Sequence, residues 1–415
     1  DAKIVSDSVY RVNKKHVSID ITVDEGRQYY FRNIKWVGNT IHPTAKLDRI
    51  LDIEKGDVYN KKILDERLFM NQNGRDISSL YLDDGYLFFN INPVEVRIDN
   101  DSIDLEMRLY EGKQARINHV TIVGNSKTND HVIRREIRTR PGQLFSRSDI
   151  IRTQRELAQL GYFNPETLGV NPKPNAEDGT VDIEYVVEEK PSDQVELSGG
   201  WGGGRVIGTL GVSFNNFSAR NILKGNAWRP LPAGDGQKLS LRAQTSGRSY
   251  QSYSFSFTEP WLGGRKPNSL SVSLFHQVQS NGLTGENQQS IKIYGSSVGL
   301  GRRLKFPDDF FTLYNEVSYQ YYVLNQYFST FAFSDGFANN LSFKTVLSRN
   351  SVDNPIYPRT GSQTTLTLQL TPPYSMFRPK DTDYENMSAQ EKYKFTEYHK
   401  WKFQTSWFSK IVGNL

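Results

Sequence analysis

The sequence predicts two α+β repeats of order β-α-α-β-β followed by an antiparallel transmembrane β-barrel. Three observations carry this reading. Landmarks recur at a constant spacing in the first half, the charge balance changes near residue 193, and strands of about ten residues with period two fill the rest.

The repeat comes first because it fixes the boundaries. Phe31-Arg-Asn-Ile-Lys-Trp-Val-Gly38-Asn39 resembles Ala115-Arg-Ile-Asn-His-Val-Thr-Ile-Val-Gly124-Asn125, and the same offset of 86 relates Gly56 to Gly142 and Glu25-Gly26 to Glu111-Gly112. Each strand ends in Gly-Asn, a turn signal. A helical stretch follows, around Lys46 to Leu51 and then Val132 to Ile137. A second helix is expected over Lys62–Leu82 and Arg147–Leu160, stopped at Gly85-Tyr86 and Gly161-Tyr162, where glycine accepts the left-handed backbone of a helix C-terminus. Two alternating strands close each unit: Phe89–Ile98 with Ile103–Leu109, and Val170–Pro172 with Val181–Val187. Residues 1–27 match only the closing hairpin of a preceding copy, with Val17, Ile19, Ile21 and Val23 alternating before Glu25-Gly26. The expected domains are therefore 1–27, 28–112, 113–191 and 192–415.

Charge marks the last boundary. Residues 1–193 hold 28 Lys and Arg against 32 Asp and Glu, whereas residues 194–415 hold 23 against 14. No basic cluster of the kind nucleic acid requires stands out, so a nucleic-acid partner is not expected. The chain has no cysteine, which excludes disulfides, thiolate zinc sites and thiol nucleophiles. It also has no apolar run long enough for a transmembrane helix, so any span must be built from strands.

Such strands are present. Tyr253, Phe255 and Phe257 oppose Ser252, Ser254 and Ser256; Val317, Tyr319 and Tyr321 oppose Glu316, Ser318 and Gln320; Trp401, Phe403 and Trp407 oppose Lys402, Gln404 and Ser406. Apolar residues facing out and polar ones facing in is the transmembrane-barrel pattern, and the many Tyr, Phe and Trp suit the two membrane interfaces. About ten strands are expected, near 195–204, 205–215, 238–246, 250–258, 268–280, 289–304, 310–325, 339–350, 362–372 and 398–411.

The Gly-Asn after strand one, the glycine before helix two, the Gly-Tyr after it and the closing Glu-Gly resemble the POTRA, or polypeptide-transport-associated, domains. Further matches lie in the second half. Phe257-Thr-Glu259-Pro260-Trp261-Leu262 is similar to the turn after the fourth barrel strand of the BamA family of outer-membrane β-barrel assembly proteins. Ser348 to Pro355, continuing through Tyr357-Pro358-Arg359-Thr360-Gly361-Ser362, resembles that family's segment between strands eight and nine, and Leu160-Gly161-Tyr162-Phe163 the end of the second helix in its last POTRA. The resemblance covers nearly the whole chain. It implies a sixteen-stranded barrel of which about ten strands are present, and a sheet of ten leaves an edge that lipid cannot satisfy.

The resemblance also implies a function: folding and insertion of β-barrel proteins into the outer membrane. The implied partners are unfolded β-barrel clients, accessory lipoproteins of the assembly complex and outer-membrane lipid, with the POTRA domains in the periplasm. Exposed sheet edges suit this, because strand addition through the backbone ignores side-chain identity. The working edge is expected at Val195, Leu197, Ser198, Gly199, Gly200, Trp201, Gly202, Gly203 and Gly204, where glycines weaken the first barrel strand's own pairing. A tight barrel corner explains the same glycines, and a secretion pore of the same superfamily or a structural anchor remain alternatives.

No catalytic, metal or cofactor site is expected. The six histidines lack metal-like spacing, and Gly199–Gly204 lacks the Gly-Lys-Ser/Thr ending of a phosphate loop. Asp99-Asn100-Asp101-Ser102 lacks the glycine and distal glutamate of a calcium loop and reads as a hairpin turn.

Overall fold

The computed structural model describes residues 3–13, 15–69, 71, 74–202, 205–228, 231–327, 333–352 and 358–409. The chain forms two compact units. One comprises residues 1–123, 136–157 and 166–187, the other residues 124–135, 158–165 and 188–415.

In the first unit, β1 (Lys3–Asn13) and β2 (His16–Asp24) form an antiparallel hairpin, followed by a mixed sheet of β3 (Tyr30–Val37), β4 (Asn90–Asp99) and β5 (Ser102–Tyr110). The last strand, β5, lies in the middle, parallel to β3 and antiparallel to β4. Its alternation sends Ile103, Leu105 and Met107 into a core with Leu47 and Leu51 of α1 (Thr44–Leu51), Leu64 and Leu68 of α2 (Lys61–Leu68), and Ile77 and Tyr81 of α3 (Ile77–Leu82). The turn expected at Asp99–Ser102 joins β4 to β5, with Asn100 at φ +58°.

The single helix expected over Lys62–Leu82 is instead α2 and α3. Asp76, 1% exposed, accepts hydrogen bonds from the Ser79 N–H (2.7 Å) and the Asn71 N–H (3.0 Å), and Gly74 takes φ +66°. A buried side-chain cap therefore starts a new helix inside the expected one.

The second sheet repeats the topology: β6 (Arg116–Val123), β8 (Thr180–Val186) in the middle, and β7 (Gly169–Asn175), longer than the expected Val170–Pro172. Val181, Ile183 and Tyr185 of β8 are buried, as their counterparts on β5 are. The helices of this repeat are α4 (Asp130–Arg134) and the unbroken α5 (Arg147–Gln159). The two repeats are tied: Arg147 donates to the Ser79 hydroxyl and the Phe69 carbonyl (both 3.2 Å), and the Ser148 N–H donates to Asp83 (2.7 Å).

Among its described residues the second unit contains one sheet of ten antiparallel strands in sequence order. They are β9 (Gln194–Gly202), β10 (Arg205–Phe217), β11 (Gln237–Thr245), β12 (Tyr250–Glu259), β13 (Asn268–Ser280), β14 (Ser290–Arg303), β15 (Phe311–Asn325), β16 (Gly336–Asn350), β17 (Gly361–Leu370) and β18 (His399–Phe408). Register fixes the faces. Leu197, Leu210, Ala243, Tyr253, His276, Tyr294 and Tyr321 form one cross-strand row, largely apolar and aromatic. The neighbouring row on the opposite face starts Glu196, Gly211, Arg242, Ser254. Because Gly211 has no side chain, Glu196 and Arg242 meet across it at 3.1 Å.

Candidate functional site

The candidate edge is β9. Among the described residues it pairs only with β10, from Gln194 opposite Ser213 to Gly202 opposite Arg205, so the main-chain groups along its other side are open. Val195, Leu197 and Trp201 share the apolar face and are 72%, 82% and 75% exposed. Ser198 and Gly200 lie on the polar face with Glu196. Gly199 stands opposite Gly208, so at that rung neither strand offers a side chain to hold the pair. Gly203 and Gly204, the end of the expected edge, lie outside the described residues. Among the described residues the opposite border of the sheet, β18, pairs only with β17.

The two repeat sheets have edges of their own. β3 and β4 border the first, β6 and β7 the second. The turn markers lie at equivalent places around them. Gly38 and Gly124 end β3 and β6 with φ of +91° and +96°. At Gly38 a Cβ would overlap the Leu109 carbonyl, so the close approach also requires glycine. Asn39 donates to the His42 carbonyl (3.1 Å), and Asn125 to the Thr128 carbonyl (3.0 Å), closing the same loop in each copy. Gly56 and Gly142 occupy the turns before α2 and α5. Gly85 lies against Leu144 of the next repeat, Tyr86 rests edge-on against Tyr81, and Tyr162, which follows Gly161, is buried edge-on against Phe163.

A carboxylate missed by the sequence reading locks each loop. Glu111, 8% exposed, accepts from the Thr40 N–H and hydroxyl, the Ile41 N–H (3.1 Å) and the Tyr81 hydroxyl (2.9 Å). Glu189 does the same in the second repeat, accepting from the Ser126 hydroxyl (2.7 Å) and the N–H groups of Lys127 and Thr128 (2.9 and 2.6 Å). Burial pushes both carboxyls up, but these donors outweigh it and hold both below the ordinary value. The signal lay in Glu111-Gly112, noted as a repeat marker but not as an acceptor.

The loop closed by Glu189 belongs to the same compact unit as the barrel sheet and bonds to it. Thr128 accepts from Asn216 (2.8 Å), the Asn129 side chain donates to Asp235 (2.9 Å), and the Asn129 N–H donates to the Gly234 carbonyl (3.0 Å). Asp235 is 5% exposed and also accepts from the Ser218 hydroxyl (2.7 Å). A Cβ at Gly234 would come within 2.7 Å of the Lys127 carbonyl, and one at Gly236 within 3.0 Å of the Tyr162 oxygen. Two barrel-motif residues join this junction. Glu259 accepts from Gln237 (2.7 Å) and from the Trp261 N–H (2.9 Å) across the turn containing Pro260, and Arg135 lies over the Trp261 ring. Farther along, Pro358 and Gly361 lead into β17, where a Cβ at Gly361 would strike Ser351. Pro355 lies outside the described residues. Asn216, Gly234, Asp235 and Gly236 escaped the sequence reading, although Gly234-Asp-Gly236 is a turn signal of its own.

Comparison with known proteins bears on what this arrangement is. The POTRA family model, a surface antigen variable number repeat, matches residues 29–112 and 115–190, and the Omp85 superfamily domain matches residues 233–414. The chain is 26% identical over 387 residues to the outer membrane protein assembly factor BamA of Neisseria meningitidis, covering 88% of this chain and 45% of that protein. It is 28% identical over 239 residues to BamA of Neorickettsia risticii, covering 57% and 30%. The crystal structure of Haemophilus ducreyi BamA lacking POTRA domains 1–3 shares the fold at a TM-score of 0.55 and 19% identity, covering 83% of this chain and 64% of that one. The chain spans less than half the length of these curated relatives.

Proposed function

From the premise that this chain is a BamA-like protein of the outer membrane, with periplasmic POTRA repeats ahead of an Omp85 superfamily barrel, we propose that it assembles β-barrel proteins into that membrane. Unfolded clients dock by strand addition on the open edges of the repeat sheets and pass to β9. There a client strand pairs with the main-chain groups along its open side. The observation that carries this reading is the state of β9. It is bonded on one side, and its pairing with β10 thins to a glycine opposite a glycine at Gly199.

The energetics favour exchange at such a strand. A departing partner loses backbone hydrogen bonds that the incoming one restores, so the step is nearly balanced. In lipid, an unpaired strand edge is costly, which drives the client to complete its own sheet. Burial of the client's apolar face in the bilayer supplies the remaining gain, and no nucleotide is needed. Side-chain identity matters little to backbone pairing, so one edge serves many clients. The relatives' description as outer-membrane assembly factors supports the same reading. Accessory lipoproteins are the proposed partners of the POTRA repeats.

Reconstitution tests the proposal. The protein as the cell makes it is placed in lipid vesicles, unfolded client is added, and protease-resistant folded client is measured against empty vesicles. Faster client folding, slowed by Gly199→Val with Gly200→Val, is expected. Client found free on the far side of the membrane, with β9 variants silent, indicates an export pore instead.

A further inference from the structure

The two repeat sheets share a topology, yet their outer strands β4 and β7 differ in what they offer to an extended chain. Along an antiparallel edge strand, residues bonded to the inner neighbour alternate with residues whose N–H and C=O point away from it. Proline has no N–H, so on β7 it fixes the phase. Pro172 and Pro174, opposite Ile183 and Val181 of β8, are outward residues, and so is Val170 opposite Tyr185. Of these three only Val170 has an N–H to donate. The open side of β7 is nearly bare of donors, and proline rings stand in their place.

β4 keeps the donors that β7 lacks. Ile103 and Val181 stand opposite Phe31 and Ile117, which occupy one place in the two repeats, so register relates β5 to β8 residue by residue. The places of Pro172 and Pro174 are then taken in β4 by Glu95, opposite Leu105, and Ile98, opposite Ile103, and both have an N–H. The proline of β4, Pro93 opposite Met107, falls where β7 has Val170. Side chains differ in the same sense. Val96 and Ile98 are 51% and 54% exposed beside the β4 donors, whereas β7 exposes Asn171, Lys173 and Asn175. The other two borders, β3 and β6, are covered alike at their starts: the Phe31 N–H donates to the Asp57 carbonyl (2.9 Å) and the Ile117 N–H to the Gln143 carbonyl (2.8 Å).

We infer that Pro172 and Pro174 close the last repeat to strand addition at β7, so that an extended client strand docks on β4 of the repeat before it. The inference rests on the proposed docking of clients at the repeat edges and names the edge that serves. A strand added to β4 gains bonds from Glu95 and Ile98 and apolar contact with Val96 and Ile98. On β7 the same strand would leave its carbonyls facing Pro172 and Pro174 without donors, beside the charge of Lys173.

The sequence holds no cysteine, so single ones report docking directly. Arg97→Cys on β4 and Lys173→Cys on β7 lie at equivalent exposed places, opposite Asp104 and Asp182. Each is placed in the protein as the cell makes it, unfolded β-barrel client with one cysteine in its last strand is added, and disulfide formation is scored under mild oxidant. Crosslinks are expected at 97 and only background at 173. Pro172→Thr with Pro174→Thr should raise the yield at 173 about tenfold, and Glu95→Pro should lower that at 97 about fivefold. Equal yields at 173 and 97 with both prolines in place overturn the inference and leave docking at the repeats standing. So does a yield at 173 that ignores the prolines while 97 crosslinks. The Glu95→Pro arm decides even where the double variant fails to fold, and an unchanged yield there also overturns the inference. No crosslink at either position in any variant removes the docking itself, and the inference with it.

Discussion

Glu111 and Glu189 sit at matching places in their repeats, and each gathers donors from the loop after a Gly-Asn turn. Their lowered carboxyl pKa values have a definite consequence. The ionised form is favoured by folding, so this stability is fully present above the ordinary glutamate value and is lost as pH falls through the lowered one. Glu111→Gln should destabilise the first repeat by about 1–2 kcal/mol at neutral pH. Denaturant melts of variant and wild type should converge as the solution is made acidic; a constant gap would mean that the charge is irrelevant. Glycine positions give a second residue-scale test. Gly38→Ala meets both a positive φ and the Leu109 carbonyl, whereas Gly56→Ala meets the positive φ with nothing within 4 Å. The first should cost about 2–3 kcal/mol and the second about 1, a ranking that thermal melts would check.

At the scale of elements, the amino-acid pattern was most informative where burial has a simple period. The expected strand 289–304 is Ser290–Arg303, and 268–280 is Asn268–Ser280, because long strands with one lipid-facing side repeat every two residues. Helices were less legible. The apolar spacing over Lys62–Leu82 continues through the break, and only the buried Asp76 cap shows that a new helix starts. The parallel pairing of β3 with β5 was also hidden, since period two does not say which neighbour a strand chooses. For β9 the glycines were visible in the sequence, and the Gly199–Gly208 rung came from register. Gly199→Val with Gly200→Val should strengthen the β9–β10 pair, by about 1 kcal/mol through added cross-strand contacts, and lower client assembly without loss of the folded barrel. Unchanged assembly rates with a stiffer strand would remove the glycines from the mechanism.

Over the whole molecule, the polar junction around Asp235 makes the last repeat loop and the barrel sheet parts of one compact unit. No periodicity announces such a contact, because its residues lie 88 and 106 positions apart in sequence. Asp235→Ala leaves Asn129 and Ser218 without their acceptor and should cost about 2–3 kcal/mol. The loss should appear as faster proteolysis at residues 188–193 while the circular-dichroism signal of the barrel strands is unchanged; equal cleavage rates would make the junction incidental. Disulfide mapping in the protein as the cell makes it tests whether β9 pairs with client strands. Single cysteines are placed from Val195 to Gly200, and a client carries one cysteine on the polar face of its last strand. Crosslinks are expected during assembly at Glu196, Ser198 and Gly200 and not at the positions between them. Crosslinks without regard to face, or none at all, would contradict it.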